Sequence, residues 1–320
     1  MNLESTLYDL AIIGGGPAAV SAGVYASRKR LKTVFIAKEF GGQSSVSADI
    51  QNWIGTPTIS GIELAENLKK HLRVYAEDTV TIREGEMVTS ITKNQETITK
   101  PKETSFLLTT DKGEYTAKTL LIATGSSRRK LNVPGAEKYE NKGIVYCASC
   151  DGPLFADMDV VVIGGGNAGF ETSAQLLAYA KSVVLLHRRD EFKADPVTVK
   201  KVLGNPKMHA VLNAEIVEVR GGQFVESIVY KERETGNKVE LKATGIFVEV
   251  GSIPATDFVS KLVELDSFGQ IVVDPKNQRT TLDGVWSAGD CTNGLYHQNN
   301  IAAGDAVKAL EDIYMYLHAK

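Results

Sequence analysis

The chain has 320 residues, a formal net charge of −3, and 43% apolar and 23% charged residues. That length and composition suit two domains, each able to bury a core of its own. The slight acidic excess argues against a nucleic-acid binder, which carries a basic excess or stripe, and no segment approaches the roughly 18 uninterrupted apolar residues that would read as a membrane span.

In chain order, the opening stretch MNLESTLYDLAIIGGG lacks a basic region followed by a long apolar run, so no secretory signal is expected. A short apolar strand at 10–13 leads into Gly14-Gly15-Gly16-Pro17-Ala18-Ala19, a helical stretch to about Arg28, and a second strand at 33–36. Residues 79–117 read as strands with polar turns, including Lys100-Pro101-Lys102 and Asp111-Lys112-Gly113. A buried strand then ends in the Ala123-Thr124-Gly125 turn. The same unit recurs with a strand at 160–163, Gly164-Gly165-Gly166-Asn167-Ala168-Gly169, a helix to about Ala180 and a strand at 182–186. Residues 210–248 again read as antiparallel strands, with a hairpin at Glu234-Thr235-Gly236-Asn237. An apolar run at 246–251 mirrors 120–125, and a helix over about 301–317 closes the chain. Strand–helix–strand twice predicts an α/β protein with two Rossmann-like, doubly wound nucleotide-binding domains, each with appended antiparallel strands. The chain is expected to cross between domains at the two mirrored runs. That gives a discontinuous domain of 1–124 with 249–320, and an inserted domain of 125–248.

Both glycine turns follow a strand and open a helix, the context that gives the pattern meaning. The first glycine allows the tight turn, and Gly16 or Gly166 lets the backbone approach a pyrophosphate. Ala19 or Gly169 lets helix and strand pack closely, and the phosphates rest on N–H groups at the helix N-terminus. After the second unit comes His187-Arg188-Arg189, with Lys193 nearby and no carboxylate at the strand end. Those cations suit a 2′-phosphate, which favours NADP over NAD; a solvated basic loop is the plain alternative. After the first unit the strand end reads Ile36-Ala37-Lys38-Glu39, so the acid expected on the adenosine ribose is displaced to Glu39 and that contact stays open.

The three cysteines, Cys147, Cys150 and Cys291, are too few for a secreted disulfide framework and fit a reducing, cytoplasmic setting. Cys147-Ala148-Ser149-Cys150 lets two sulfurs meet across one turn. Zinc would need a further suitably spaced pair, and only Cys291 remains, so no metal is expected. Asp151 follows the pair directly. It can serve as the acid/base of thiol–disulfide exchange, or as a turn former before Gly152-Pro153; both readings stand. The pair precedes the strand whose far end carries the second glycine turn, so disulfide and nicotinamide are expected at different places on one domain. Both must reach one flavin on the other, which implies rotation of the domains.

Taken together, Gly14 to Ala18, Gly41-Gly42-Gln43, Asn52-Trp53-Ile54-Gly55, Ala123-Thr124-Gly125, Cys147 to Gly152, Gly164 to Asn167, His187-Arg188-Arg189 and Ala288-Gly289-Asp290 give a specific resemblance. Over essentially its whole length the chain resembles the low-molecular-weight thioredoxin reductases of bacteria and archaea, in the pyridine nucleotide-disulfide oxidoreductase class. The resemblance implies FAD on Gly14, Gly16 and the following helix. Gly42, Gln43 and Asn52 would line the flavin, with Asp290 and the Gln298 region on the ribitol and flavin edge. NADPH would lie on Gly166, Asn167, Arg188 and Arg189. Pro17, Ala18, Glu39, Thr124, Gly125, Ala168, His187, Lys193, Gly289 and His297 complete the expected cofactor-binding set. Cys150 would face the flavin, Cys147 would attack a thioredoxin or thioredoxin-like disulfide, and Asp151 would move the proton. A homodimer is implied, with no nucleic-acid or membrane partner.

Three departures stand out. Ala168 replaces a small hydroxyl residue, Lys193 stands where Arg is frequent, and Tyr296-His297 replaces a basic residue before Gln298. The Cys-Asp-Gly-Pro-Leu-Phe run and Gly169 also look like the flavin domain of alkyl hydroperoxide reductases, whose additional N-terminal redox domain is not expected here. Related disulfide reductases with a glutaredoxin-like or peroxiredoxin partner, and dithiol oxidases, are the alternatives.

Overall fold

The structure, a computed structural model, describes residues 6–47, 50–94 and 105–319. The expected Lys100-Pro101-Lys102 turn and the first five residues lie outside them. The chain opens with β1 (Leu7–Ile13), α1 (Pro17–Arg28), β2 (Thr33–Ala37), α2 (Gly61–Ala76) and β3 (Val80–Glu84). Then come β4 (Val88–Asn94), β5 (Ser105–Thr110) and β6 (Glu114–Ile122). β1, β2, β3 and β6 pair in parallel, whereas β4 and β5 join β6 antiparallel. The antiparallel expectation for 79–117 therefore fails for β3, which extends the doubly wound sheet beside β2.

The chain leaves through β7 (Ser126–Arg128) and enters a second unit: β8 (Ile144–Val145), α3 (Ala148–Asp151), β9 (Asp159–Ile163), α4 (Asn167–Leu176), β10 (Ser182–Leu186), α5 (Pro196–Leu203) and β11 (Met208–Val211). An antiparallel layer of β12 (Ala214–Gly221), β13 (Val225–Glu232) and β14 (Lys238–Lys242) precedes β15 (Gly245–Val248). β11, β10, β9, β15 and β8 form an all-parallel sheet in that order. The return passes through β16 (Ser252–Pro254), which pairs antiparallel with β7. β17 (Val285–Ser287) then adds to the outer edge of β6, and α6 (Asn299–His318) ends the fold. Each unit is thus centred on its own sheet, and the two are joined by the β7–β16 ribbon.

Patterning explains these elements. α2 buries Leu64, Leu68, Leu72 and Ala76 at helical spacing, and Ser60 Oγ accepts the Glu63 N–H at 3.2 Å as its N-cap. α1 and α6 meet through small residues, Ala18, Ala19, Ala22 and Ala26 against Ala302, Ala306 and Ala309, so two helices share one face of the first sheet. The strands of the second sheet are continuous apolar runs because helices cover one face and the antiparallel layer the other. α4 stops at Leu176, short of the expected Ala180. The Tyr179 carbonyl accepts from the Asp157 N–H at 3.0 Å, and the chain turns there. Among the described residues no helix is long and apolar enough to cross a membrane.

Trp286, 1% exposed on β17, donates its indole N–H to Asp312 Oδ2 at 2.9 Å, and the same oxygen accepts from Arg279 Nε at 2.5 Å. Asp312→Ala leaves a buried indole N–H unpaired, so urea unfolding is expected to show a loss of about 1–3 kcal/mol. An unchanged midpoint would show that the indole finds another acceptor.

Candidate active site

The first glycine turn is closed underneath and open above. Gly14 has φ +132°, and a Cβ there would strike the Ala123 carbonyl; one on Gly15 would strike that of Glu39. A Cβ on Gly16 would meet nothing within 4 Å. Gly16 is the N-cap of α1 and Pro17 opens it, with no side-chain cap and no acid in the first turn, so the N–H donors there face an open cradle. Glu39 is exposed just beyond β2, beside this turn, as the displaced acid requires.

Around the cradle stand Gly42, in the left-handed region at φ +60°, and Gly289, where a Cβ would crowd Ala18 and Ala302 at 3.3 Å. Gln43 Nε2 donates to Asp290 Oδ2 at 3.3 Å and Ser126 Oγ at 3.2 Å. Thr124 Oγ1 donates to the Ala255 carbonyl at 2.7 Å, and the Ala255 N–H to the Gly125 carbonyl at 3.0 Å, fixing the exit to the ribbon. Asn52 Nδ2 reaches Gln298 Oε1 at 3.2 Å and Cys150 Sγ at 3.9 Å. Asn300 holds the Asn52 carbonyl at 2.7 Å. His297 Nε2 is buried and has no partner among the described residues. An open phosphate cradle and an orphaned polar atom near it fit a large polar cofactor such as a flavin dinucleotide.

The second turn repeats the construction. Gly164 has φ +129° with the Glu249 carbonyl beneath it, Gly169 packs on the Gly164 carbonyl, and a Cβ on Gly166 would meet nothing within 4 Å. Asn167 and Ala168 are exposed at the uncapped start of α4. His187 lies under this turn: its Nδ1 accepts the Gly165 N–H at 3.0 Å, and its ring fills the space a Cβ on Gly165 would need. Burial, with the charges of Arg189, Arg188 and Lys193, holds its pKa below the usual imidazole value, so the ring stays a neutral acceptor. The sequence grouped His187 with the direct contacts; its place is as a support for the turn. The loop beyond it is stitched to the same turn by Lys193 N–H on the Gly165 carbonyl and Asp195 N–H on Asn167 Oδ1, both at 2.8 Å. Arg188, Arg189 and Lys193 are exposed on that loop and form no ion pair with a described residue.

Cys147 and Cys150 form a disulfide, with Cα atoms 5.3 Å apart. Their turn is anchored to the far part of α4. Ser149 Oγ donates to Gln175 Oε1 at 2.8 Å, Tyr179 hydroxyl to the Ala148 carbonyl at 3.4 Å, and Gly152 packs on that hydroxyl. The Asp151 N–H closes the turn on the Cys147 carbonyl at 2.9 Å. One ten-residue helix therefore carries the glycine cradle at one end and the disulfide near the other, about 15 Å apart at 1.5 Å per residue. Cys291 is fully buried against Ser287 and the Ile122 carbonyl, and burial pushes its thiol up, away from reactivity.

Sequence reasoning passed over Gln175 and Tyr179, whose roles come only from contact. It also passed over Glu249, a charge inside the otherwise apolar 246–250 run and thus a readable signal. Gly164→Ala is expected to lower the unfolding midpoint, since the backbone angle and the Glu249 carbonyl both oppose a side chain. Gly166→Val is expected to leave the midpoint unchanged while weakening nucleotide binding by about tenfold or more, because its side chain projects into the phosphate space. Equal nucleotide affinity in Gly166→Val would remove this turn from the site.

Residues 8–306 match the family described as pyridine nucleotide-disulphide oxidoreductase. The chain is 36% identical over 311 residues to the NADH dehydrogenase of Bacillus subtilis strain 168, covering 97% of this chain and 58% of that protein. It is 38% identical over 310 residues to a flavin-domain relative in Staphylococcus aureus strain NCTC 8325, a component of its alkyl hydroperoxide reductase, covering 97% and 59% respectively. The chain thus spans somewhat more than half the length of these relatives. The crystal structure of thioredoxin reductase from Streptococcus pyogenes MGAS5005 superposes with a TM-score of 0.88 at 33% identity, covering 99% of this chain and all of that one. The match extends across both glycine turns, the basic loop and the Cys147–Cys150 disulfide, and on that ground the chain belongs to the pyridine nucleotide-disulphide oxidoreductase family.

Proposed function

We propose that the chain is an FAD-dependent disulfide reductase of the thioredoxin reductase type, drawing electrons from NADPH and delivering them through Cys147–Cys150 to a thioredoxin-like protein disulfide. The observation that carries this reading is the disulfide on α4 with Cys150 Sγ turned to Asn52 in the first cleft, while the same helix presents a nucleotide cradle at its other end. Residues 1–124 with 249–320 would hold FAD and 125–248 would hold NADPH, the protein acting as a cytoplasmic homodimer. The exposed Arg188, Arg189 and Lys193 favour the 2′-phosphate of NADPH over the bare ribose of NADH.

The flavin, when bound, relays two electrons between the nicotinamide and the disulfide. The rest belongs to the chain. Reduction opens the Cys147–Cys150 bond to two thiols. Cys147, as thiolate, attacks one sulfur of the partner's disulfide, forming a mixed disulfide and expelling one partner thiolate. Cys150, as thiolate, then attacks Cys147 Sγ, restoring the internal disulfide and expelling the second partner thiolate. The two protons shed by the cysteines end on the partner's sulfurs, and Asp151, next to Cys150, is placed to carry them. Cradle and disulfide are fixed to one helix and cannot both face one flavin, so the units must swing about the β7–β16 ribbon between half-reactions. A covalent tether between the units is expected to block one half-reaction; a tethered protein that runs both would refute the swing.

The match to an alkyl hydroperoxide reductase component supports a second reading, with a peroxiredoxin system as the acceptor. Anaerobic titration of the flavin-loaded protein separates the two. NADPH is expected to bleach the flavin more readily than NADH, and thioredoxin to restore it, with transfer to thioredoxin lost in Cys147→Ser. Bleaching without recovery by thioredoxin would leave the fold and first half-reaction standing and move the acceptor to the second reading. Failure of both nucleotides to bleach would overturn the assignment of Arg188 and Arg189.

A further inference from the structure

Glu249 sits where the second sheet changes direction. β9 is the first strand of that sheet, with β10 on one side and β15 on the other, so the crevice between the carboxyl ends of β9 and β15 is the switch point that dinucleotides cross. Glu249 directly follows β15. Its N–H donates to the Ile163 carbonyl at 2.8 Å, and its own carbonyl lies under Gly164. The carboxylate is only 5% exposed; it accepts from Thr172 Oγ1 of α4 at 2.8 Å and pairs with Arg128 Nη1 at 3.4 Å. Burial pushes its pKa up and the Arg128 charge pulls it down. An isolated buried ion pair returns little net stability, so its presence beside a ligand cradle calls for another reason.

Arg128 supplies one. Its side chain is 36% exposed and spends one N–H of its five-donor fork on Glu249. The basic loop after β10 covers the adenosine side of the crevice. Arg128 stands on the opposite, β15 side, over which the other half of a dinucleotide would extend. We propose that Arg128 binds the phosphate of the nicotinamide half of the dinucleotide, and that Glu249, fixed by Thr172, is the positioning residue that aims it. A planar guanidinium held from behind by a carboxylate is pre-oriented for a phosphate oxygen. Arg128 ends β7, one of the two strands joining the units, so this grip ties the nucleotide to the ribbon about which they swing. The inference rests on the reading that the second glycine turn takes the dinucleotide.

Calorimetric titration of the flavin-loaded protein with NADP+, and separately with adenosine 2′-phosphate, tests it, because the fragment lacks the nicotinamide half. Arg128→Ala is expected to weaken NADP+ by roughly 10- to 100-fold, the range for a lost charged hydrogen bond, and to leave the fragment unchanged. Glu249→Gln, which keeps a partner for Thr172 but removes the charge, is expected to give a smaller loss for NADP+ alone. If Arg128→Ala does not fold, Arg128→Lys keeps the charge without the fork and is expected to lose affinity for NADP+ only. Unchanged NADP+ affinity, or an equal loss for the fragment, overturns the proposal. Arg188→Ala in parallel is expected to weaken both ligands; if it weakens neither, the nucleotide reading itself fails, separately from Arg128.

Discussion

The rest of the structure answers to helix α4, whose two ends are committed to different tasks. Its first turn must stay bare, so Gly166 carries no side chain and no residue caps it. Its far part is bonded through Gln175, with Tyr179 just beyond, to the turn that holds the disulfide. A helix of this length is stiff, and the spacing between its ends cannot shrink. The two electron carriers on it are therefore separated by geometry, and only a movement of the whole unit can exchange them before a common flavin. The slender β7–β16 ribbon, two short strands, is the hinge that such a movement needs.

The electrostatics follow the same division. Around the second cradle the positive charges are free at their tips and fixed at their roots. Lys193 and Asp195 are tied by backbone N–H groups to the glycine turn and Asn167, while the cationic heads of Arg188, Arg189 and Lys193 remain in solvent. His187 beneath them is kept neutral by burial and by those cations, so it supports the turn without adding charge where phosphates would lie. Glu249 is the counterweight, a carboxylate placed where water cannot screen it and where it orients Arg128. Around the first cradle polar side chains hold one another instead: Gln43 to Asp290, and Asn52 to Gln298.

Several assignments were open in the sequence and acquired their meaning from contact. Glu39 is displaced from the strand end by two residues, yet its carbonyl lies directly against Gly15. Cys291 looked like an unassigned thiol beside Asp290; full burial against backbone carbonyls makes it a packing residue. Asn167 contributes by holding the basic loop through Asp195 as well as by starting α4.

What the sequence alone determined is what short-range periodicity and local chemistry encode. The two strand–glycine–helix–strand units, the hairpin at 234–237, the closing helix and the Cys147–Cys150 pair each depend on residues within one turn or strand of one another. The Leu64, Leu68, Leu72 spacing behind Ser60 encoded α2 just as plainly. Tertiary structure decided the parallel pairing of β3, since strand direction is set by a partner distant in sequence. It ended α4 at Leu176, through a hydrogen bond to Asp157 rather than through helix propensity. It also turned Cys150 to Asn52 and brought Arg128, Thr172 and Glu249 together from segments far apart in the chain. Those contacts depend on which faces the two sheets bury, and no local pattern carries that information.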